Sequence, residues 1–279
     1  GRLAIASVLL SDWTKRSSRP GEHIGVVLPS TCGGAIVNIG ILLAGRVPVN
    51  LNFTAGREAM QSAIEQCGMR TILTSKVFLS KAKLEQEAGM VFLEDILKSV
   101  TGIAKLWGLL RARLAPVASL VARRDPDAPA TVLFSSGSTS LPKGIVLSHF
   151  NVVSNCDAVL QVFNVKPEDR VVGVIPFFHS FGFMATIWLP LLAGCGVAFH
   201  PNPTEAQAVG DITAKYRGSI LFTTSTFAGN YARRCSKEQF ATLRLVVAGA
   251  EKLRATVQKA FQDAFGLSIL EGYGCTELS

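Results

Sequence analysis

Long apolar runs are missing from the chain. No segment approaches the ~20 residues that a bilayer-crossing helix needs, so no membrane-spanning helix is expected. The six cysteines, Cys32, Cys67, Cys156, Cys195, Cys235 and Cys275, lie tens of residues apart. Without a Cys-x-x-Cys pair or a Cys/His ligand spacing, neither a structural zinc nor a disulfide framework is indicated, and a reducing cytoplasm is the simplest setting. Tryptophan and tyrosine number three each while phenylalanine reaches 16, which fits layered α/β structure with aliphatic interiors. No internal repeat, low-complexity tract or signal peptide is visible. Gly1 is not an initiator methionine, and the chain is expected to be an internal piece of a longer protein.

Charge is also sparse, at 17% of 279 residues, and the net +8 is scattered. Arg123-Arg124 and Arg233-Arg234 are short pairs, not a basic stripe with interleaved aromatics, so no nucleic-acid partner is expected. Anionic partners remain in play: a nucleotide, an acidic carrier protein or anionic lipid. Also lacking is the Gly-Lys-Ser/Thr of the Walker loop, which disfavours a general phosphate-loop ATPase.

What is present is alternation. The first helix is expected over 3–15, with apolar Leu3, Ala6, Leu9, Leu10 and Trp13. Strands at 24–28, 47–51 and 72–73 alternate with helices near 32–44, 56–67 and 76–87, with Gly45 and Gly68 as terminators. After residue 165 the pattern resumes: strands at 170–175, 196–200, 219–222, 243–247 and 269–270, and helices near 182–193, 225–234 and 253–265. Thr204-x-x-Gln207 reads as a capping box for a helix to Tyr216. The fold class expected is α/β, two similar lobes of mostly parallel sheet flanked by helices. Residues 99–121 interrupt the pattern. They are apolar around Trp107 but carry Lys105, Arg111, Arg113 and Pro116. The preferred reading is an ordinary helix capping a lobe, its arginines snorkelling; peripheral contact with a membrane surface is the alternative, which would put the protein at the cytoplasmic face of the inner membrane.

Residues 133–145 read Leu-Phe-Ser-Ser-Gly-Ser-Thr-Ser-Leu-Pro-Lys-Gly-Ile. A β-rich run empties into hydroxyls (Ser135, Ser136, Ser138, Thr139, Ser140) around Gly137, followed by Lys143. A Gly-loosened backbone with hydroxyls and one cation suits a polyphosphate. Three more strand-end motifs follow: 176–182 (Pro-Phe-Phe-His-Ser-Phe-Gly), 249–253 (Gly-Ala-Glu-Lys-Leu) and 272–277 (Gly-Tyr-Gly-Cys-Thr-Glu). Tyr273 offers a ring to stack on a purine, Thr276 a hydroxyl for a phosphate, and Glu277 hard oxygens suited to Mg²⁺ shared with phosphate.

In this order the motifs resemble the adenylate-forming enzymes, which include acyl-CoA synthetases, luciferases and peptide-synthetase adenylation domains. The stretches 46–56, 222–233, 246–253 and 265–274 resemble one branch, the bifunctional acyl-[acyl-carrier-protein] synthetase/2-acylglycerophosphoethanolamine acyltransferases. The resemblance implies most of a large N-terminal adenylation domain. Lobe one would span about 24–165, and lobe two 1–23 with 166–279; the mobile C-terminal domain would be absent and the piece poorly active alone. It implies ATP and Mg²⁺, with Lys143, Thr276 and Glu277 catalytic, Glu277 holding the metal. Ser135, Ser136, Gly137, Ser138, Thr139 and Lys143 would bind the phosphates. Gly249, Ala250 and Glu251 would border the adenine, and Gly272, Tyr273, Gly274 and Thr276 would complete the nucleotide site. His179 would stand at the mouth of the carboxylate pocket, with Phe178, Phe227 and Ala228 along the acid. Ser140 stands where the family usually has glycine; at a positive φ it would strain the loop by roughly 1 kcal/mol or more. The 43–50 stretch, Leu-Ala-Gly-Arg-Val-Pro-Val-Asn, is read as packing. The activity implied is activation of a fatty acid to its acyl-adenylate and transfer to the thiol of acyl carrier protein. An acyl-CoA ligase is the alternative, and a non-catalytic nucleotide- or lipid-binding module the second. Acyl chain length and oligomeric state are not legible in the residues.

Overall fold

The computed structural model describes residues 1–121, 125–135 and 142–278. The phosphate-loop residues Ser136, Gly137, Ser138, Thr139 and Ser140 therefore lie outside the described residues, as do Arg123 and Arg124. The chain divides into two compact units, Gly1–Phe150 and Asn151–Ser279.

In the first unit, strands β1 (His23–Val27), β2 (Val47–Asn50), β3 (Thr71–Thr74) and β4 (Met90–Phe92) form a parallel sheet in the order β2-β1-β3-β4. Parallel strands need crossover helices, here α1 (Arg2–Ser17), α2 (Cys32–Leu43), α3 (Arg57–Gln66), α4 (Lys76–Ala82), α5 (Leu93–Ser99), α6 (Gly102–Leu114) and the short α7 (Val117–Leu120). β5 (Pro129–Ser135) and β6 (Lys143–Ser148) pair antiparallel, with Ser135 opposite Lys143. Thr131 on β5 donates to the Pro48 carbonyl of β2 at 2.8 Å. β4 was not expected from the sequence, and the helix expected near 76–87 stops at Ala82, where Lys83 turns left-handed at φ 53°.

The first helix, expected in the second lobe, belongs to the first unit. Of the apolar set read from the sequence only Leu10 is fully buried; the rest of the buried face is Ser7, Val8, Ser11 and Thr14. Gly40 of α2 sets the close approach of the two helices: a Cβ there would lie 2.9 Å from Leu10 Cδ2. Buried Arg46 then fastens the helix end, donating to the Ser18 hydroxyl at 2.9 Å and the Lys15 carbonyl at 3.2 Å. A guanidinium on the last carbonyls also suits the negative end of the helix dipole. Asn38 and Asn50, both buried, exchange amide hydrogen bonds at 3.1 and 2.7 Å. Arg46 and Asn50 thus do the packing work read into the 43–50 stretch.

In the second unit, α8 (His149–Val162), which begins at the unit boundary, precedes β7 (Arg170–Gly173), α9 (Ser180–Phe183), a π-helical turn (Met184–Trp188), α10 (Leu189–Ala193), β8 (Gly196–Phe199), α11 (Ala206–Tyr216), β9 (Ile220–Thr223), α12 (Ser225–Arg234), β10 (Leu245–Ala248), α13 (Ala255–Phe265) and β11 (Leu270–Glu271). All five strands are parallel in the order β11-β10-β9-β7-β8. The helix expected over 182–193 is therefore three consecutive helical pieces. The expected capping box does not form: Thr204 donates to Asn202 at 2.7 Å, and α11 starts without a side-chain cap. α13 does match its apolar stripe, burying Val257, Phe261 and Phe265 before Gly266 turns left-handed at φ 73°. Phe240, Phe261 and Phe265 pack ring to ring, with Phe240–Phe265 at 4.8 Å and Phe261–Phe265 at 4.7 Å. Buried Tyr231 satisfies its hydroxyl on the Pro203 carbonyl at 2.8 Å.

Asp169 joins the N-terminal edges of this sheet. It accepts from Arg244 Nε at 2.9 Å, the Ser219 hydroxyl at 2.7 Å and the Lys166 amide at 2.8 Å. The Arg244 bond above all holds its carboxyl far below the usual carboxylate range, against the opposing effect of burial. A depressed folded pKa stabilises the fold fully above the unfolded value of about 4, and that contribution is lost as pH falls below it. Asp169 is 7% exposed but Arg244 is 42% exposed, so solvent screens the pair. Asp169→Asn is expected to cost about 2 kcal/mol at neutral pH. In urea melts the difference from wild type should shrink as pH is lowered from 5 towards 3.

Candidate functional site

Four of the sequence motifs or their supports leave the same edge of the second sheet. β7, β9, β10 and β11 run parallel, so the segments after their C-terminal ends share one side, where open α/β sheets bind ligands. β7 leads through Val174 and Ile175 to residues 176–182; β9 leads to Thr224 and α12; β10 to 249–253; β11 to 272–277.

The β7 segment turns sharply. The His179 amide donates to the Pro176 carbonyl at 3.1 Å, and His179 caps α9 through its own carbonyl, which accepts from Phe183 at 2.9 Å. Gly182 is required sterically, because a Cβ there would lie 2.2 Å from the Pro176 oxygen and 2.7 Å from that of Ile175. His179 is exposed, with its ring 4.7 Å from that of Phe178. Burial of its inner side lowers its pKa, which favours the neutral imidazole. The π-helical turn follows directly; Thr186 in it donates to the Gly182 carbonyl at 2.6 Å. Such turns occur often at functional sites.

At the end of β10, Gly249 donates to the Thr223 carbonyl at 3.0 Å, and Gly272 donates to that of Ala248 at 2.7 Å. The ladder therefore continues one residue past the strands and holds the two glycine segments side by side. A Cβ on Gly249 would meet the Phe181 ring at 3.3 Å. Phe181 itself packs edge-on against Phe222 at 5.8 Å. Ala250 adopts φ 66°, a left-handed conformation costing a non-glycine residue about 1 kcal/mol. Glu251 turns back onto α12, accepting from the Thr226 amide at 2.6 Å and its hydroxyl at 3.0 Å. Burial opposes ionisation of Glu251, but the bonds from Thr226 outweigh it and keep the carboxyl below its usual range. Glu271 accepts from the Leu253 amide at 2.8 Å, closing the other end of the segment.

Beyond β11, Tyr273 is 94% exposed, leaving both faces of its ring open to a flat partner. Thr276 and Glu277 lie in a 3₁₀ turn, Thr276–Leu278. Among the described residues no cluster of three His, Cys, Asp or Glu side chains could hold a metal. Glu277 thus fits an Mg²⁺ that arrives on phosphates, which needs only one or two carboxylates, rather than a resident ion.

The structure brings His179, Gly249, Ala250, Glu251, Gly272, Tyr273, Gly274, Thr276 and Glu277 to the ends of neighbouring strands of one sheet. Ser135 and exposed Lys143 face each other across the β5–β6 pair of the first unit, beside Pro142, whose carbonyl accepts from Gln66 at 2.9 Å. Two of the residues expected along the acid are packed into the interior. Ala228 is wholly buried in the core of the second unit, and Phe178 is buried as well. Phe227 is partly buried against the same core. The sequence reading missed Phe181, Thr226 and Glu271; only the proximity of Phe181 and Glu271 to recognised motifs could have pointed to them.

A family profile described as AMP-binding enzyme matches residues 4–279. The chain is 27% identical over 290 aligned positions to a probable 4-coumarate–CoA ligase 3 of Dictyostelium discoideum, an alignment covering 95% of this chain and 52% of that protein. It is 28% identical over 246 positions to a 3-hydroxybenzoate–CoA/4-hydroxybenzoate–CoA ligase of Thauera aromatica, covering 86% and 46%. Apo MatB from Rhodopseudomonas palustris superposes with a TM-score of 0.77 at 21% identity, over 99% of this chain and 54% of that one. The chain thus spans about half the length of these relatives.

Gly182→Ala is expected to lower the melting temperature by about 5 °C, because backbone oxygens cannot yield to the new methyl. Gly274→Ala, with open space around its Cβ position, should leave it unchanged. Differential scanning calorimetry of the two variants checks both.

Proposed function

The chain belongs to the AMP-binding enzyme family, and from that premise we propose that it forms the nucleotide-binding part of an ATP-dependent acid–thiol ligase. The observation that carries this reading is the convergence of the 176–182, 249–253 and 272–277 segments at one sheet edge, with Tyr273 uncovered beside two glycine segments. A carboxylate oxygen of the acid attacks the α-phosphorus of ATP; the bond to the bridging oxygen breaks and pyrophosphate leaves. A thiol sulfur then attacks the acyl carbonyl, AMP departs, and the thiol proton passes to solvent.

Residues of this chain contribute by positioning and by charge. Tyr273 stacks on the purine, with Gly249 and Ala250 along its edge. Glu251 takes part through its backbone, since its carboxylate is held by Thr226. Lys143, Ser135 and the hydroxyls of Ser136, Ser138 and Thr139 hold the β- and γ-phosphates, and Thr276 meets the α-phosphate. Glu277 would hold an Mg²⁺, which would supply neutralisation of phosphate charge. His179, favoured as neutral imidazole, orients the acid without adding charge.

Coenzyme A is the acceptor favoured here. Several of the similar curated proteins are named as CoA ligases and others as AMP ligases, whereas the carrier-protein acceptor rests on the branch resemblance alone. Most of their named acids are aromatic, sulfoacetate being an exception. We therefore favour a carboxylic acid with an apolar body, and place an aryl acid ahead of a fatty acid.

Pyrophosphate release by the intact protein, with aryl and fatty acids and with coenzyme A or acyl carrier protein as acceptor, tests this. Coenzyme A should support thioester formation. Lys143→Ala and Thr276→Ala should each lower kcat/KM by about 10²-fold or more, while Tyr273→Ala should act chiefly on the KM for ATP. Wild-type rates in both Lys143→Ala and Thr276→Ala would overturn the assignment.

A further inference from the structure

α6 carries an uncovered apolar stripe. Ile103, Leu106, Trp107, Leu110 and Leu114 follow helical spacing along one face. All five are exposed, Ile103 at 72%, Trp107 at 62% and Leu114 at 76%. Gly108 on the opposite face and Arg111 at the edge of the stripe fasten the helix to α1. Gly108 is so close that a Cβ would lie 2.6 Å from Leu9 Cδ2, and Arg111 donates to both carboxylate oxygens of Asp12 at 2.7 Å. The Thr101 hydroxyl caps the helix by accepting from the Ala104 amide at 3.2 Å. A short helix capped and held in this way does not need its outer leucines and tryptophan for its own attachment, so the stripe has another use.

The charges around it select the occupant. From residue 96 to 121 the chain carries Lys98, Lys105, Arg111 and Arg113 and no aspartate or glutamate. Arg111 is taken by Asp12, while Lys98, Lys105 and Arg113 are exposed. We propose that α6 is an interfacial helix that seats the first unit on an anionic lipid surface. Its leucines and Trp107 enter the headgroup boundary, and exposed Arg113 at the edge of the stripe meets the lipid phosphates. Thirteen residues make a helix of about 20 Å, which lies in the plane of the interface. Among the described residues no helix is long and apolar enough to cross a membrane. A second copy of this chain is the less favoured occupant, because an isologous pair through α6 would bring like cations together. This reverses the preference drawn from the sequence, where the apolar residues of 99–121 were assigned to capping a lobe. It is independent of the acid and the acceptor.

Vesicle co-sedimentation of the intact protein tests the proposal, using phosphatidylcholine vesicles with and without phosphatidylglycerol. Binding is expected to the mixed vesicles and to weaken with salt. Leu106→Gln with Leu110→Gln should reduce it about tenfold or more, and Arg113→Glu about fivefold. Trp107 emission should shift to the blue on binding, and Trp107→Phe should remove that shift. Circular dichroism melts show that the exposed substitutions leave the fold intact; Arg113→Glu serves alone if the double variant does not fold. No binding to either vesicle, equal binding to both, or binding unchanged in the variants would overturn the proposal. So would concentration-dependent self-association that the double variant abolishes while vesicles are ignored.

Discussion

Parallel register is the constraint on which the candidate site depends. Strands β7, β9, β10 and β11 can be neighbours in one direction only if each is followed by a crossover. Every crossover then begins at the same edge. Residues more than ninety positions apart, from His179 to Glu277, are thereby delivered to one side of one sheet. The hydrogen bonds from Gly249 to Thr223 and from Gly272 to Ala248 extend the register just past the strands. The two glycine segments are thus held by the ladder itself and not by loop packing, and side-chain-free backbone lies beside an uncovered tyrosine ring. That arrangement is set by the backbone itself, before any ligand arrives.

Electrostatics then divides the labour. A helix N-terminus at such an edge is ordinarily an anion site. At α12 that role is already taken, because Glu251 places its carboxylate on the Thr226 amide and hydroxyl, and its lowered pKa keeps it ionised. A phosphate there would meet a fixed negative charge. Glu251 was read from the sequence as an adenine contact. In the structure it is first the residue that locks the 249–253 segment to α12, with Glu271 locking the other end through Leu253. Ala250 stays at φ 66° between these two anchors, a conformation their combined bonds can sustain.

Much of this was legible in the residues because the signals were local. Strand–helix alternation, Gly45 and Gly266 as helix terminators, and the apolar stripe of α13 are properties of short windows, and the structure reproduces them. The motif segments were legible for the same reason. Long-range packing was not. The burial of Ala228, the seating of α1 on α2 through Leu10 and Gly40, and the grip of Arg46 on the end of α1 depend on partners tens of residues away. The failed capping box at Thr204 has a similar cause: Asn202 competes for the threonine hydroxyl, and the pattern Thr-x-x-Gln does not record it. The π-helical turn at Met184–Trp188 left no mark in the apolar periodicity.

α6 shows how one physical fact changes a reading without changing the sequence evidence for it. A window with leucines, one tryptophan and basic residues is compatible with a helix buried on its lobe or with a helix at a lipid surface; periodicity counts apolar positions but not their direction. Direction is settled by what holds the other face. Here Gly108 commits one side of α6 to Leu9 of α1, with Arg111 tied to Asp12 at the edge of the stripe, and the rotation of 100° per residue puts Leu106 and Leu110 on the side away from Gly108, where they and Trp107 are exposed. The same glycine that lets two helices approach thus turns the apolar stripe away from the core. An outward stripe costs solubility unless something covers it, and its flanking cations make an anionic interface a better cover than a second copy of the same helix.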